Sequence, residues 1–194
     1  MLDARLWRGR PGLAARWHPA SEKERGQDAF ATSSIKNRES SMKESPDNQK
    51  LEQLLRSSIL VGGGFMGSDT RSFSEVIDAD SAELAKLDYT NEQLARRMRQ
   101  ITKLAIPGLG TWVQAGDNKQ AAVQEARGSL VCPWPHAGRY AKRITTGRDV
   151  RSGESISWSD LNTHLIGQHG FFGGKGSMFR IEPGDLVRTI FKTW

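Results

Sequence analysis

Three features of this sequence predict a small α+β domain. Apolar residues recur at helical spacing between Leu51 and Ala105. They shift to short β-like runs between Trp112 and Trp158, and a serine-led helical segment follows directly on the last run. The expected architecture is N-terminal helices packed on a small antiparallel sheet with a β-hairpin–helix unit at about 130–180, all within residues 50–194. Residues 1–49 mix Ser, Arg, Lys, Glu, Asp and Asn without lasting apolar periodicity. They are expected to form a disordered tail, with at most a transient helix near Leu6–Ala15.

The elements can be taken in order. Leu51, Leu54 and Leu55 give a short helix from about Gln49 to Ser58, closed by the glycines at 62–64 and 67. Arg71–Asp80 reads as a short helix capped by Ser72 or Ser74. Thr90, with Gln93 three residues on, makes a capping box; Leu94, Met98, Ile101 and Ala105 share one face, and Pro107–Gly108 stop the helix. Trp112–Val113, Ala121–Val123 and Leu130–Val131 suggest short strands. Tyr140–Val150 and Ser155–Trp158 flank Arg151–Glu154 as a hairpin. Ser159 is placed to cap a helix carrying Leu161, Leu165 and Ile166, with Gly170 as its terminator. A glycine–phenylalanine loop, Phe171–Phe179, and a last helix, Pro183–Phe191, complete the chain.

Composition narrows the class of protein. No stretch approaches the roughly 20 apolar residues of a membrane span, so a soluble protein is expected. The single cysteine, Cys132, excludes an internal disulfide framework and fits a reducing, cytoplasmic setting. The start of the chain is rich in Arg and Ala, which also suits a transit peptide, although Met42 would make a natural start of its own. The formal net charge is +6, and residues 1–50 hold ten basic against seven acidic residues. Half of the excess therefore lies in the tail, and basicity alone does not single out a partner.

The chemistry concentrates in Cys132, His136, His164 and His169, the only Cys and His residues outside the tail. They form two close pairs, C-x3-H before the hairpin and H-x4-H on the helix after it. Zinc takes four N or S ligands in a tetrahedron, and a hairpin followed by a helix can bring two such pairs together. The layout resembles a ββα zinc finger, but His136 stands where a Cys is usual and the pairs are further apart. Two obstacles oppose metal binding. Cys-Pro-Trp-Pro-His must turn sharply, for which a cis-proline is one means. His164 and His169 are about 140° apart around an ideal helix, so the last turn is expected to tighten or unwind near Gly167 and Gly170. Without metal, these residues would be core and capping groups. A Cys132–His136 nucleophile–base pair is the enzymatic alternative, but no local motif supplies its orienting group or oxyanion hole.

Gly62–Gly67 matches G-x-G-x-x-G, yet no helix opens at the last glycine and no βα series follows. It reads as a flexible connector, and no nucleotide cofactor is expected. Gly173–Ser177 fails the phosphate-loop pattern and reads as a tight loop pinned by aromatics. Arg139, Tyr140, Lys142, Arg143, Arg148 and Arg151 interleave cations with an aromatic ring near the hairpin, together with Trp134 and Trp158. That composition suits nucleic acid, though strands commonly alternate buried and charged side chains.

The run CPWPHAGRYAKR through SDLNTHLIGQHGFFGGKGSMFRIEP resembles a family of small uncharacterised bacterial proteins. In that family a hairpin, a His-bearing helix and a Gly–Phe loop occur together. The resemblance implies a single folded unit over about 50–194 and no particular chemistry. The leading expectation is a non-enzymatic binding or scaffold domain with a structural zinc site, using its basic hairpin face on a partner. The alternatives are a small enzyme using Cys132/His136 or an open metal site, and a metal-free protein-association domain.

Overall fold

The computed structural model describes residues 45–191, and the chain is an α+β protein. Three helices come first: α1 (Pro46–Arg56), α2 (Phe73–Lys86) and α3 (Asn91–Ala105). A 3-10 turn at Ile106–Gly108 leads into β1 (Val113–Gly116), β2 (Lys119–Val131), β3 (Arg139–Asp149) and β4 (Ser155–Ser159). Helix α4 (Asp160–His169) starts where β4 ends, and α5 (Pro183–Ile190) closes the fold. The strands form an antiparallel meander in the order β1-β2-β3-β4. Among the described residues no helix is long and apolar enough to cross a membrane.

Capping fixes the helix starts. Ser72, Thr90 and Ser159 each accept from the backbone N–H three residues on, while that residue's side chain returns to the cap's own N–H. At the other end of α4, Gly170 adopts the left-handed conformation (φ 64°) and donates to the Ile166 carbonyl.

Two apolar clusters organise the packing. One lies between α3, the sheet and α5, with Leu94, Met98, Ile101, Ala121, Val123, Trp158 and Leu186 at its centre. Within it Trp158 Nε1 donates to Thr102 Oγ1 (3.2 Å), which lies 2.8 Å from Thr145 Oγ1, so the buried polar atoms are partnered. The other gathers Leu51, Leu55, Phe65, Met66, Val76, Leu161, Leu165 and Phe171, and it includes Cys132.

Several elements differ from expectation. Helix α1 begins at Pro46, inside the stretch assigned to the tail. The remainder of that tail up to residue 44, with the transient helix at Leu6–Ala15 and Met42, lies outside the described residues. Helix α2 continues to Lys86 because Val76 and Leu84 both reach the interior. Ala121–Val123 and Leu130–Val131 belong to one 13-residue strand, which a bulge between Ala126 and Ser129 carries past its midpoint.

The Gly62–Gly67 segment is a packed turn and not a flexible connector. It buries Phe65 and Met66 completely. Its backbone clips onto the glycine–phenylalanine loop: Gly174 N–H donates to Phe65 O (2.9 Å) and Ser68 N–H to Lys175 O (2.9 Å). A Cβ on Gly174 would stand 2.3 Å from the Met66 carbonyl oxygen, so only glycine permits this approach. The Asp69 carboxylate accepts from Arg71 and from the Lys175 N–H (3.1 Å), and the Arg71 hydrogen bond holds it well below the usual carboxylate range.

Candidate metal centre

Strand β2 ends at Val131, and Cys132 follows with its side chain turned into the second apolar cluster. The chain then reverses within three residues: His136 N–H donates to the Trp134 carbonyl at 2.8 Å, a γ-type turn centred on Pro135. Proline's fixed φ suits that central position. This local turn brings His136 back over Cys132, which answers the first obstacle. Helix α4 supplies the other two residues and stays α-helical through His169. The expected unwinding of its last turn does not occur. Convergence comes from the side chains instead, because both long imidazoles reach beyond the helix edge with their distal nitrogens.

All four donor atoms lie within 4.8 Å of one another. The His136, His164 and His169 Nε2 atoms form a triangle with edges of 3.1, 3.2 and 3.3 Å, and Cys132 Sγ lies 3.5 Å from His169 Nε2. A tetrahedron with Zn–N of about 2.0–2.1 Å and Zn–S of about 2.3 Å has N–N edges of about 3.3–3.4 Å and S–N edges of about 3.5–3.6 Å. The four residues are close enough together to bind a metal ion, and the three nitrogen edges and the sulfur edge to His169 are near these lengths.

Proton bookkeeping points the same way. A neutral imidazole nitrogen either donates or accepts, so three mutually adjacent Nε2 atoms always leave one like pair. His136 Nδ1 lies 3.1 Å from the Ala137 carbonyl oxygen, an acceptor, so that nitrogen carries the proton. Its Nε2 therefore turns a lone pair on its neighbours. A central cation removes the conflict, and the Ala137 contact then orients the ligand from outside.

Two aromatic faces hold the remaining rings. Trp134 stacks on His169 (centroids 4.2 Å, 10°), and Tyr140 stacks on His164 (4.4 Å, 26°). Burial, followed by the neighbouring imidazoles, pushes His169 down to about 4 and lowers His164. Both rings are thus held in the neutral, ligating form. Burial pushes the Cys132 thiol up, opposed by the Trp134 backbone N–H bonded to sulfur. This does not suit a Cys132–His136 nucleophile–base pair: the thiol is buried, it is not activated, and its sulfur lies 3.5 Å from the His169 imidazole.

The centre opens onto a cleft of 480 Å³ between α3 and α4, floored by β3. His136 and His164 line it, with Arg99, Lys103, Arg143 and Asp160. Arg143 Nη1 donates to Asp160 (3.0 Å), and its Nε bonds Glu125. Burial raises the Asp160 carboxyl, which the Arg143 charge opposes.

The six residues suggested for nucleic acid do not gather on one surface. Tyr140 and Arg143 line the cleft, on the helix-covered side. Gly147 packs under Trp158, whereas the next residue, Arg148, stacks on Trp112 (3.9 Å) and donates to Gln120, which places it on the opposite face. Arg151 lies in the β3–β4 turn, its N–H donating to Asp149. Arg139 and Lys142 are exposed on β3.

Sequence reasoning missed Trp134 and Tyr140 as supports of the imidazoles, because aromatics in a short domain read as core. It also missed Arg99 and Lys103, which are indistinguishable along the chain from a solvated helix face. Comparison with family models, with characterised proteins and with solved structures gives no match.

Proposed function

We propose that Cys132, His136, His164 and His169 hold a structural zinc ion that staples the β2–β3 connection to α4, and that the chain is a binding domain built around this staple. The observation that carries the reading is the convergence of the donors, 3.1–3.3 Å between the three nitrogens and 3.5 Å from Cys132 Sγ to His169 Nε2, all four within 4.8 Å of one another. Four protein ligands leave zinc no open position, which favours a structural role. The mixed imidazole–thiolate set suits zinc better than magnesium or calcium, which prefer oxygen.

The test is elemental analysis of the full chain, purified without a histidine tag, beside His164→Ala. Near-stoichiometric zinc in the wild type is expected, with loss of zinc and a lower thermal midpoint in the variant. Metal-free protein whose midpoint ignores a chelator would overturn the reading.

A second reading has one observation in its favour: two of the ligands line the cleft. A centre held by three histidines alone would keep a position for water and could support hydrolytic chemistry. Cobalt substitution separates the two. A sulfur-to-cobalt charge-transfer band that vanishes in Cys132→Ser supports the closed centre, and its absence from the wild type supports the open one.

A further inference from the structure

The cleft between α3 and α4 has a charge imbalance that the metal centre does not explain. Arg143 is committed to Asp160 and Glu125. Arg99 and Lys103 stand one turn apart on α3, on the same wall, and among the described residues neither side chain has an ion pair or a hydrogen bond. The facing wall carries one acid, Asp160, already engaged by Arg143. Two uncompensated cations therefore face a partly enclosed space. Its volume, 480 Å³, falls within the range of about 300–1,000 Å³ typical of small-ligand sites. Ile106 and the Tyr140 ring give part of its lining an apolar character.

We propose that this cleft binds a small organic anion. Its carboxylate or phosphate oxygens would lie between the Arg99 guanidinium and the Lys103 ammonium, and its body against Tyr140 and Ile106. Arginine offers a planar fork and lysine a point charge, and both suit an oxyanion. The gap between side chains on adjacent turns, about 5–6 Å at Cβ, is bridged readily by such a group. The inference names what the binding domain would bind, but it does not depend on the metal.

The test is isothermal titration of the full chain with phenyl phosphate and, separately, with benzoate, using wild type and the double variant Arg99→Gln/Lys103→Gln. Both substituted side chains are exposed and all four metal-binding residues remain, so metal content and thermal midpoint are expected to be unchanged. Saturable binding of at least one probe, weakened tenfold or more in the variant, is the expected result. The tighter probe then identifies the oxyanion. No saturable binding of either probe overturns the proposal. So does equal binding by the variant, which would assign the anion to the metal. Zinc measured in the same samples keeps the two readings apart. A metal-free protein that binds leaves the cleft proposal standing and removes the zinc one; a zinc-loaded protein that binds neither probe does the reverse.

Discussion

At the residue scale, the histidines couple folding to pH. His169 is held neutral in the fold, with its pKa pushed from 6.5 to about 4. As pH falls through 6.5 the unfolded chain takes up a proton at this position first, and the native ring follows only near 4. Between these values the unfolded state binds more protons, so stability is full above the window and is lost as pH drops across it. His164 adds a change of the same sign. We expect the denaturation midpoint of chelator-treated protein to fall as pH is lowered from 7 to 4, with a shallower slope in His169→Gln. Zinc-loaded protein should fall more steeply, because protons and metal compete for the same lone pairs. A midpoint indifferent to pH in both forms would show that these rings are not buried in neutral form.

At the scale of elements, α4 carries two of the four candidate ligands, and its register depends on one cap. Ser159 is buried, accepts from Asn162 N–H at 3.0 Å and donates to Asn162 Oδ1 at 2.7 Å. Asn162 Nδ2 in turn donates to the Phe179 carbonyl (2.9 Å), which ties the cap to the glycine–phenylalanine loop. Ser159→Ala should cost about 1–2 kcal/mol and weaken zinc retention in competition with a chromogenic chelator. The clip between loops gives a sharper contrast. Gly174→Ala sets a methyl against the Met66 carbonyl and should cost about 1–3 kcal/mol. Gly62→Ala meets nothing within 4 Å and should change the urea midpoint by no more than about 0.5 kcal/mol equivalent. Equal effects would mean that the close approach is relieved at no cost.

At the scale of the molecule, the centre sits where the second apolar cluster meets the β2–β3 connection, away from the Trp158 cluster. Chelation should therefore raise amide exchange around residues 132–138 and at the C-terminal turn of α4, leaving the β3–β4 hairpin protected. Uniform deprotection would mean that the metal supports the whole fold.

The same division explains what could be read from the chain. The capping box at Thr90, the N-cap at Ser159 and the β3–β4 hairpin are local, set by residues a few positions apart, and they were legible; the return bond from Asn162 that completes a box at Ser159 was not. The length of β2 was not, because alternation fades after Val123 and cross-strand pairing alone carries the strand on. The four candidate ligands stood out by rarity. Their convergence was not legible, since it depends on the turn at Pro135 and on rings stacked by Trp134 and Tyr140. The cleft was invisible because its walls come from distant segments that meet only when α3 and α4 pack, with Gly167 against Ala95.

The clip between the Phe65–Met66 turn and the glycine–phenylalanine loop has a consequence for how the protein is made. Ser68 and Lys175, which meet in it, are 107 residues apart. A ribosome adding roughly 5–20 residues per second needs about 5–20 s to span such an interval. For that time Phe65 and Met66, fully enclosed in the finished domain, have nothing from the loop to cover them. The nascent chain thus carries an open apolar turn until the glycine–phenylalanine loop emerges, and α5 follows only eight residues after Lys175. Closure of the clip waits for that loop, and a chaperone has the whole of the interval in which to find the turn.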